Sequence, residues 1–193
     1  MEERGLHARK TDLNEAFQLF KSAANEHIPF AEHHLATMYE YGIGVAQDFN
    51  LALHYYKHAA EQSHVESMYN LALMYAYGRG CTQDYRIAHP LLERAASANH
   101  APSCYYLGVF KMYGYGCEPD YEHAYNWFEK ASVLNDFRIS TKAGHAATEL
   151  RQSMTDANGK NERIIQLLQS RSEADIFERG HPVDSEQNLV ESQ

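Results

Sequence analysis

Apolar residues recur with helical spacing along most of this chain, and they fall into two alternating kinds of block. The first kind reads Leu35-Ala36-Thr37-Met38-Tyr39-Glu40-Tyr41-Gly42-Ile43-Gly44. It returns as Leu71-Ala72-Leu73-Met74-Tyr75-Ala76-Tyr77-Gly78-Arg79-Gly80, and again as Leu107-Gly108-Val109-Phe110-Lys111-Met112-Tyr113-Gly114-Tyr115-Gly116, with a constant period of 36 residues. The second kind keeps the same period. Ala16, Ala52, Ala88 and Ala124 share one position, Ala23, Ala59, Ala95 and Ala131 a second, and Phe20, Tyr56, Leu92 and Phe128 a third. Small residues let a neighbouring helix approach, and the large residue fills the remaining gap. A fixed period of this length marks stacked helix pairs. The pattern therefore predicts an all-α, right-handed superhelical solenoid of antiparallel helix pairs.

Each pair has an A helix and a B helix. The A helices are predicted at 30–41, 66–77 and 102–113. Gly42, Gly44, Gly78, Gly80, Gly114 and Gly116 end them, because glycine turns a chain at positive φ without a Cβ clash. Asp48, Asp84 and Asp120 precede the B helices, where a carboxylate accepts from the free N–H groups of the first turn. Asp12 falls on the same register, so the chain is expected to begin, after a flexible segment 1–11, with a B helix lacking its A partner. That half repeat reads either as part of a longer solenoid or as an open face that a second copy could cover. A partial fourth repeat contributes an A helix at 138–154, with Leu150 and Gln152 where the glycines stood. The solenoid thus spans 12–153. A capping helix is expected within 154–171 and an acidic, disordered tail over 172–193.

Charge narrows the partners. The net charge is −9. Six acids against one base place −5 of it in the tail and leave −4 for the rest. Nucleic acid, which demands a basic face, is not expected. No apolar run approaches the ~18 residues of a membrane span, so direct insertion is not expected either. The first residues carry no apolar signal-peptide core. Cys81 and Cys117 occupy equivalent positions, which packed helices hold roughly 8–10 Å apart, beyond the ~7 Å limit of a disulfide. With Cys104 they read as free thiols in a reducing, cytoplasmic compartment.

A solenoid binds along its concave face, which A helices usually line. The positions there that vary between repeats are His33, Tyr69 and Tyr105; His34, Asn70 and Tyr106; Thr37, Leu73 and Val109; and Glu40, Ala76 and Met112. In the second and third repeats they form an aromatic and apolar stripe of the kind that anchors protein interfaces. The competing reading has some of these residues packing between adjacent A helices. His54 and His58 have the i, i+4 spacing of two metal ligands. They lie opposite Ala52, Tyr56 and Ala59, though, and read as solvated. His64 and His100 share a link position, where a ring can bond a helix-end carbonyl. No nucleophile, paired-carboxylate or phosphate-cradling arrangement stands out, so no catalytic residue, metal or cofactor is assigned.

The pattern Ala-x3-Leu-(Ala/Gly)-x2-Tyr-x2-Gly-x-Gly-x3-Asp-x3-Ala-x6-Ala-Ala resembles the Sel-1-like repeat, a relative of the tetratricopeptide repeat. Ala31, Leu35, Ala36, Tyr39, Gly42, Gly44, Asp48, Ala52, Ala59 and Ala60 fit it throughout. The second repeat departs at Ser67, and the third at Ser103, Lys111 and Ser132. The resemblance covers residues 12–144. It implies a non-catalytic adaptor or scaffold holding a protein or peptide, as such families do in quality control, signalling, cell-wall regulation and infection. The alternative it offers is a hydrolase or cell-wall-ligand binder like the cysteine-rich branch, whose regular cysteine pattern this chain lacks.

Overall fold

The computed structural model describes residues 2–155. These contain eight helices and no strand. They are α1 Glu2–Asn25, α2 Pro29–Tyr41, α3 Phe49–Glu61, α4 Val65–Tyr77, α5 Tyr85–Ser97, α6 Ala101–Tyr113, α7 Tyr121–Val133 and α8 Phe137–Thr155. Residues 1–147 form one compact unit and 148–193 a second. Of the second, the end of α8 is described. The expected capping helix and acidic tail lie outside the described residues from 156 onward.

Within the first unit each helix from α1 to α7 packs on its neighbour in sequence, giving a solenoid of A helices (α2, α4, α6) and B helices (α1, α3, α5, α7). Every A and B bound from α2 to α7 agrees with the sequence reading to within a residue or two. The caps explain this precision. Asp48 accepts from the N–H groups of Asn50 and Leu51 at 2.9 and 3.0 Å, Asp84 from Arg86 at 2.8 Å, and Asp120 from His123 at 3.0 Å. At the other end Gly42, Gly78 and Gly114 take φ of 69, 68 and 73° and return their N–H groups to Met38, Met74 and Phe110.

The second glycine of each pair has a different task. A Cβ on Gly44 would stand 2.6 Å from the Leu13 carbonyl oxygen of α1. Gly80 and Gly116 meet the Phe49 and Tyr85 carbonyls in the same way. Leu13, Phe49 and Tyr85 are one repeat position, so each turn is seated on the equivalent turn of the preceding B helix, which is the first turn in α3 and α5 and an interior turn in α1.

The start of the chain differs from expectation. α1 runs unbroken from Glu2, so Asp12 lies inside a helix rather than at its cap. The preceding residues include Glu2, Glu3, Arg4, Leu6, Ala8, Arg9 and Lys10, good helix formers with no proline among them. The tight loops that precede α3, α5 and α7 have no counterpart here.

The core is the buried alanine rows with the large third-position residues. Ala52, Ala88 and Ala124 are completely buried, as are Tyr56 and Leu92, and Phe128 is nearly so. At the end of this unit Ala143 is buried and Lys142 stands over the Tyr105 ring, its Nζ 4.7 Å from the centroid. Both belong to the predicted fourth A helix, which is α8.

Candidate functional site

Three arrangements in the first unit can do chemistry or bind: the A-helix row, a groove between B helices, and a histidine–carboxylate cluster at the first link.

The A-helix row is organised around Glu40, a carboxylate only 5% exposed. Burying such a charge is costly unless it is paired. Here the Tyr56 hydroxyl donates to Oε2 at 2.9 Å and the Arg79 guanidinium bonds Oε1 at 3.2 Å. The Thr37 hydroxyl lies 3.0 Å from that of Tyr56. Arg79 in turn rests over the Tyr77 ring at 5.0 Å. Further along, the hydroxyls of Tyr69 and Tyr77 hydrogen-bond that of Tyr106. Burial pushes all three phenols above their usual range, those of Tyr69 and Tyr77 well above it.

The predicted partner-facing residues divide. His33, His34, Thr37, Asn70 and Leu73 are half-buried. Tyr69, Tyr105, Tyr106 and Val109 are buried at 7, 3, 2 and 3%. The aromatic stripe expected to be exposed is therefore buried, with the Tyr69 and Tyr106 rings 5.8 Å apart between α4 and α6. The competing reading holds for that pair, whereas the Tyr105 ring packs 5.6 Å from Phe128 of α7. The reason is size: a Tyr ring on one A helix is long enough to reach the ring on the next. His33 bridges in the same sense, its Nδ1 3.1 Å from the Ser67 hydroxyl. Burial, with His64 and His34 beside it, brings its pKa down to about 4.

His64 and His100 do not bond helix-end carbonyls through their rings. Each is the N-cap of the following A helix, with ring Nδ1 at 3.0 and 2.8 Å from the hydroxyls of Ser67 and Ser103. Ser67, which departs from the repeat pattern, also gives its backbone N–H to the His64 ring at 3.3 Å, a capping contact, while Ser103 meets the His100 ring through its hydroxyl. Cys104 is buried with its Sγ 3.7 Å from the Ala96 carbonyl, and burial raises its pKa. Cys81, Cys104 and Cys117 are free thiols.

The groove lies between α3 and α5, with α4 as its floor. It encloses ≈ 410 Å³, within the range of ligand-binding clefts. Leu71 and Tyr75 line the bottom, and Ile87, Pro90 and Leu91 one wall. Lys57, Arg86 and Arg94 stand at the rim against one acid, Glu61. In a chain of net charge −9 this is a local cationic site. Sequence reading missed it because its residues come from three helices. The one available signal was Pro90 inside a helix, where it removes an N–H and leaves the Arg86 carbonyl without that intrahelical donor.

The cluster at the first link joins His27, Glu32 and His58, whose ligand atoms all lie within 4.8 Å of one another. His58 carries half of the i, i+4 pair seen in the sequence; its ring stacks with that of His54 at 6.5 Å, while its Nδ1 meets Glu32 rather than a site shared with His54. Glu32 itself was not singled out. Its signal is that Met68 and Cys104 hold the equivalent positions.

Among the described residues no helix is long and apolar enough to cross a membrane. The Sel1 repeat family model matches residues 1–27, 29–64, 65–100 and 101–136. A solved Sel1 repeat protein from Oxalobacter formigenes is 25% identical, with TM-score 0.65, over 82% of this chain and 63% of its own. The c5321 protective antigen of uropathogenic Escherichia coli, which displays an SLR fold, is 22% identical with TM-score 0.66, over 81% of this chain and 33% of its own. Helicobacter pylori cysteine rich protein B (hcpB) is 23% identical with TM-score 0.54, over 69% of this chain and 96% of its own. The chain thus spans less than two thirds of the first two. No curated protein matches it.

Proposed function

This chain belongs to the Sel1-repeat family, and from that premise we infer that it is a non-catalytic scaffold binding a peptide segment of another protein. The observation that supports this reading best is the groove between α3 and α5. It combines an apolar floor with a rim of Lys57, Arg86 and Arg94. Such a groove suits an extended or helical segment carrying an apolar anchor flanked by acids. The anchor would be desolvated against Leu71, Tyr75 and Leu91, and the rim charges would steer the approach. Ile87, 42% exposed, is apolar surface already bearing the cost of contact with water.

A second reading places the partner on the A-helix row, at His33, His34, Thr37, Asn70 and Leu73, with Tyr69, Tyr105, Tyr106 and Val109 as the packed support behind them. The network on Glu40 favours it, because side chains already fixed by hydrogen bonds lose little entropy on binding. Affinity capture with the chain beside two surface variants separates these readings. Loss of a partner in Ile87→Glu/Arg94→Glu with retention in Leu73→Glu supports the groove. The reverse supports the A-helix row. A partner held equally by both variants refutes both surfaces, and the absence of any saturable partner refutes the scaffold reading.

A further inference from the structure

The cluster at the first link departs from the repeat in a way that packing does not require. Glu32 is the most deeply buried charged residue among those described, at 1% exposure. Its equivalents, Met68 and Cys104, fill the same place with apolar atoms at 4 and 0% exposure. The neighbours change with it. His58 stands where Arg94 and Lys130 stand, and those two cations simply bond the carbonyls of Ala60 and Ala96 at 3.4 and 3.0 Å. Gln62 replaces Ala98 and Leu134. His27 replaces Ser63 and Asn99 in links that share a positive φ, so the turn itself does not ask for an imidazole. Four substitutions converge on one point, and a repeat protein supplies its own control for what structure alone would choose.

The geometry is that of a ligand set. Glu32 Oε1 lies 3.5 Å from His27 Nδ1 and 2.5 Å from His58 Nδ1. Glu32 Oε2 accepts from Gln62 Nε2 at 2.8 Å, the kind of outer contact that fixes a ligating carboxylate. Tetrahedral zinc with bonds of about 2.0–2.1 Å separates its ligands by about 3.4 Å. The His27 distance meets this. The His58 distance needs to open by somewhat under 1 Å, which a ring 38% exposed can do by a small rotation. The His27 ring is 71% exposed, so solvent reaches the fourth position.

We propose that His27, Glu32 and His58 form a binding site for Zn²⁺ or a similar divalent transition metal. Two imidazoles and a carboxylate suit such ions rather than calcium or magnesium. The ion would join the first link, the first A helix and the first full B helix. It would place a divalent positive charge directly against the buried carboxylate of Glu32.

The test uses the full chain with any histidine tag removed and metal stripped by chelator. Titration with ZnCl₂, followed by calorimetry and by thermal unfolding, should give one equivalent bound and a higher Tm. CoCl₂ should give visible absorption from a tetrahedral or five-coordinate site. His27→Ala removes an exposed ligand without disturbing the core and should weaken binding at least about tenfold. His58→Arg installs the residue of the second repeat and should abolish it, together with the Tm shift. Two results would overturn the site: no saturable zinc binding by the parent chain, or zinc affinity unchanged in His27→Ala. The latter would assign the binding to the other histidines.

Discussion

Gly42 and Gly44 sit two residues apart with the same φ of 69°, so replacing each by alanine imposes the same backbone strain. That strain is about 1–2 kcal/mol for an L-residue in the left-handed region. The gain from a stiffer unfolded chain is also common to both, at about 0.4–1 kcal/mol. The surroundings differ. A Cβ on Gly42 finds its nearest neighbours at 3.5 Å, an ordinary contact. A Cβ on Gly44 finds the Leu13 carbonyl oxygen at 2.6 Å and its carbon at 3.0 Å. These are backbone atoms of α1 and cannot rotate away. The turn must lift off the preceding helix, an overpacking cost of about 1–3 kcal/mol. Net of that gain, Gly42→Ala should lose at most about 1.5 kcal/mol and Gly44→Ala about 1–4.5 kcal/mol. In urea unfolding, with a slope of about 2 kcal/mol per molar, the midpoint should fall by less than about 0.8 M for the first and by about 0.5–2 M for the second, with Gly44→Ala the lower of the two. Gly44→Ala should also lower the slope, because it loosens one interface of a linear array and lets its parts melt separately. Equal midpoints for the two variants would refute the assignment of the second glycine to contact between repeats.

Two further outcomes follow from packing and titration. In the third repeat Gly108 faces Phe128, whose ring would lie 2.7 Å from an added Cβ, whereas the second repeat pairs Ala72 with Leu92. Gly108→Ala should destabilise by about 1–2 kcal/mol despite its better helix propensity, and Gly108→Ala/Phe128→Leu should recover part of that loss in a thermal double-mutant cycle. Two additive losses would show that the ring does not set the glycine. His33, held at about 4 in the folded chain against an ordinary 6.5, is neutral where the unfolded chain would be protonated. Its contribution is complete above pH 6.5 and is lost as pH falls from there toward 4, by up to about 3 kcal/mol. His33→Gln should flatten the difference in unfolding midpoint between pH 7 and pH 4.5. A variant with the parent's pH dependence would assign that loss to other groups.

The A and B helices were legible because their signals are local. Asp48, Asp84 and Asp120 accept from N–H groups within three residues of themselves, and Gly42, Gly78 and Gly114 close their helices by bonds to residues four back. The groove at Leu71, Tyr75 and Ile87 was not legible, since no one helix contains it. Nor was the unbroken start of α1, where helix propensity before Asp12 outweighed the register of the cap.

The sequence by itself determined the 36-residue period, the helix pairs and the family to which they belong. Each of these depends on spacing, capping and composition within a single repeat. Only the tertiary structure decided which way the variable residues face. Tyr69 and Tyr106 are buried because neighbouring A helices bring rings 37 positions apart to within 5.8 Å. Glu32 acquires His58 because α2 and α3 pack antiparallel, across 26 residues of chain. Such encounters depend on the size of side chains on different helices and on how closely those helices approach, and neither is written in the periodicity of either one.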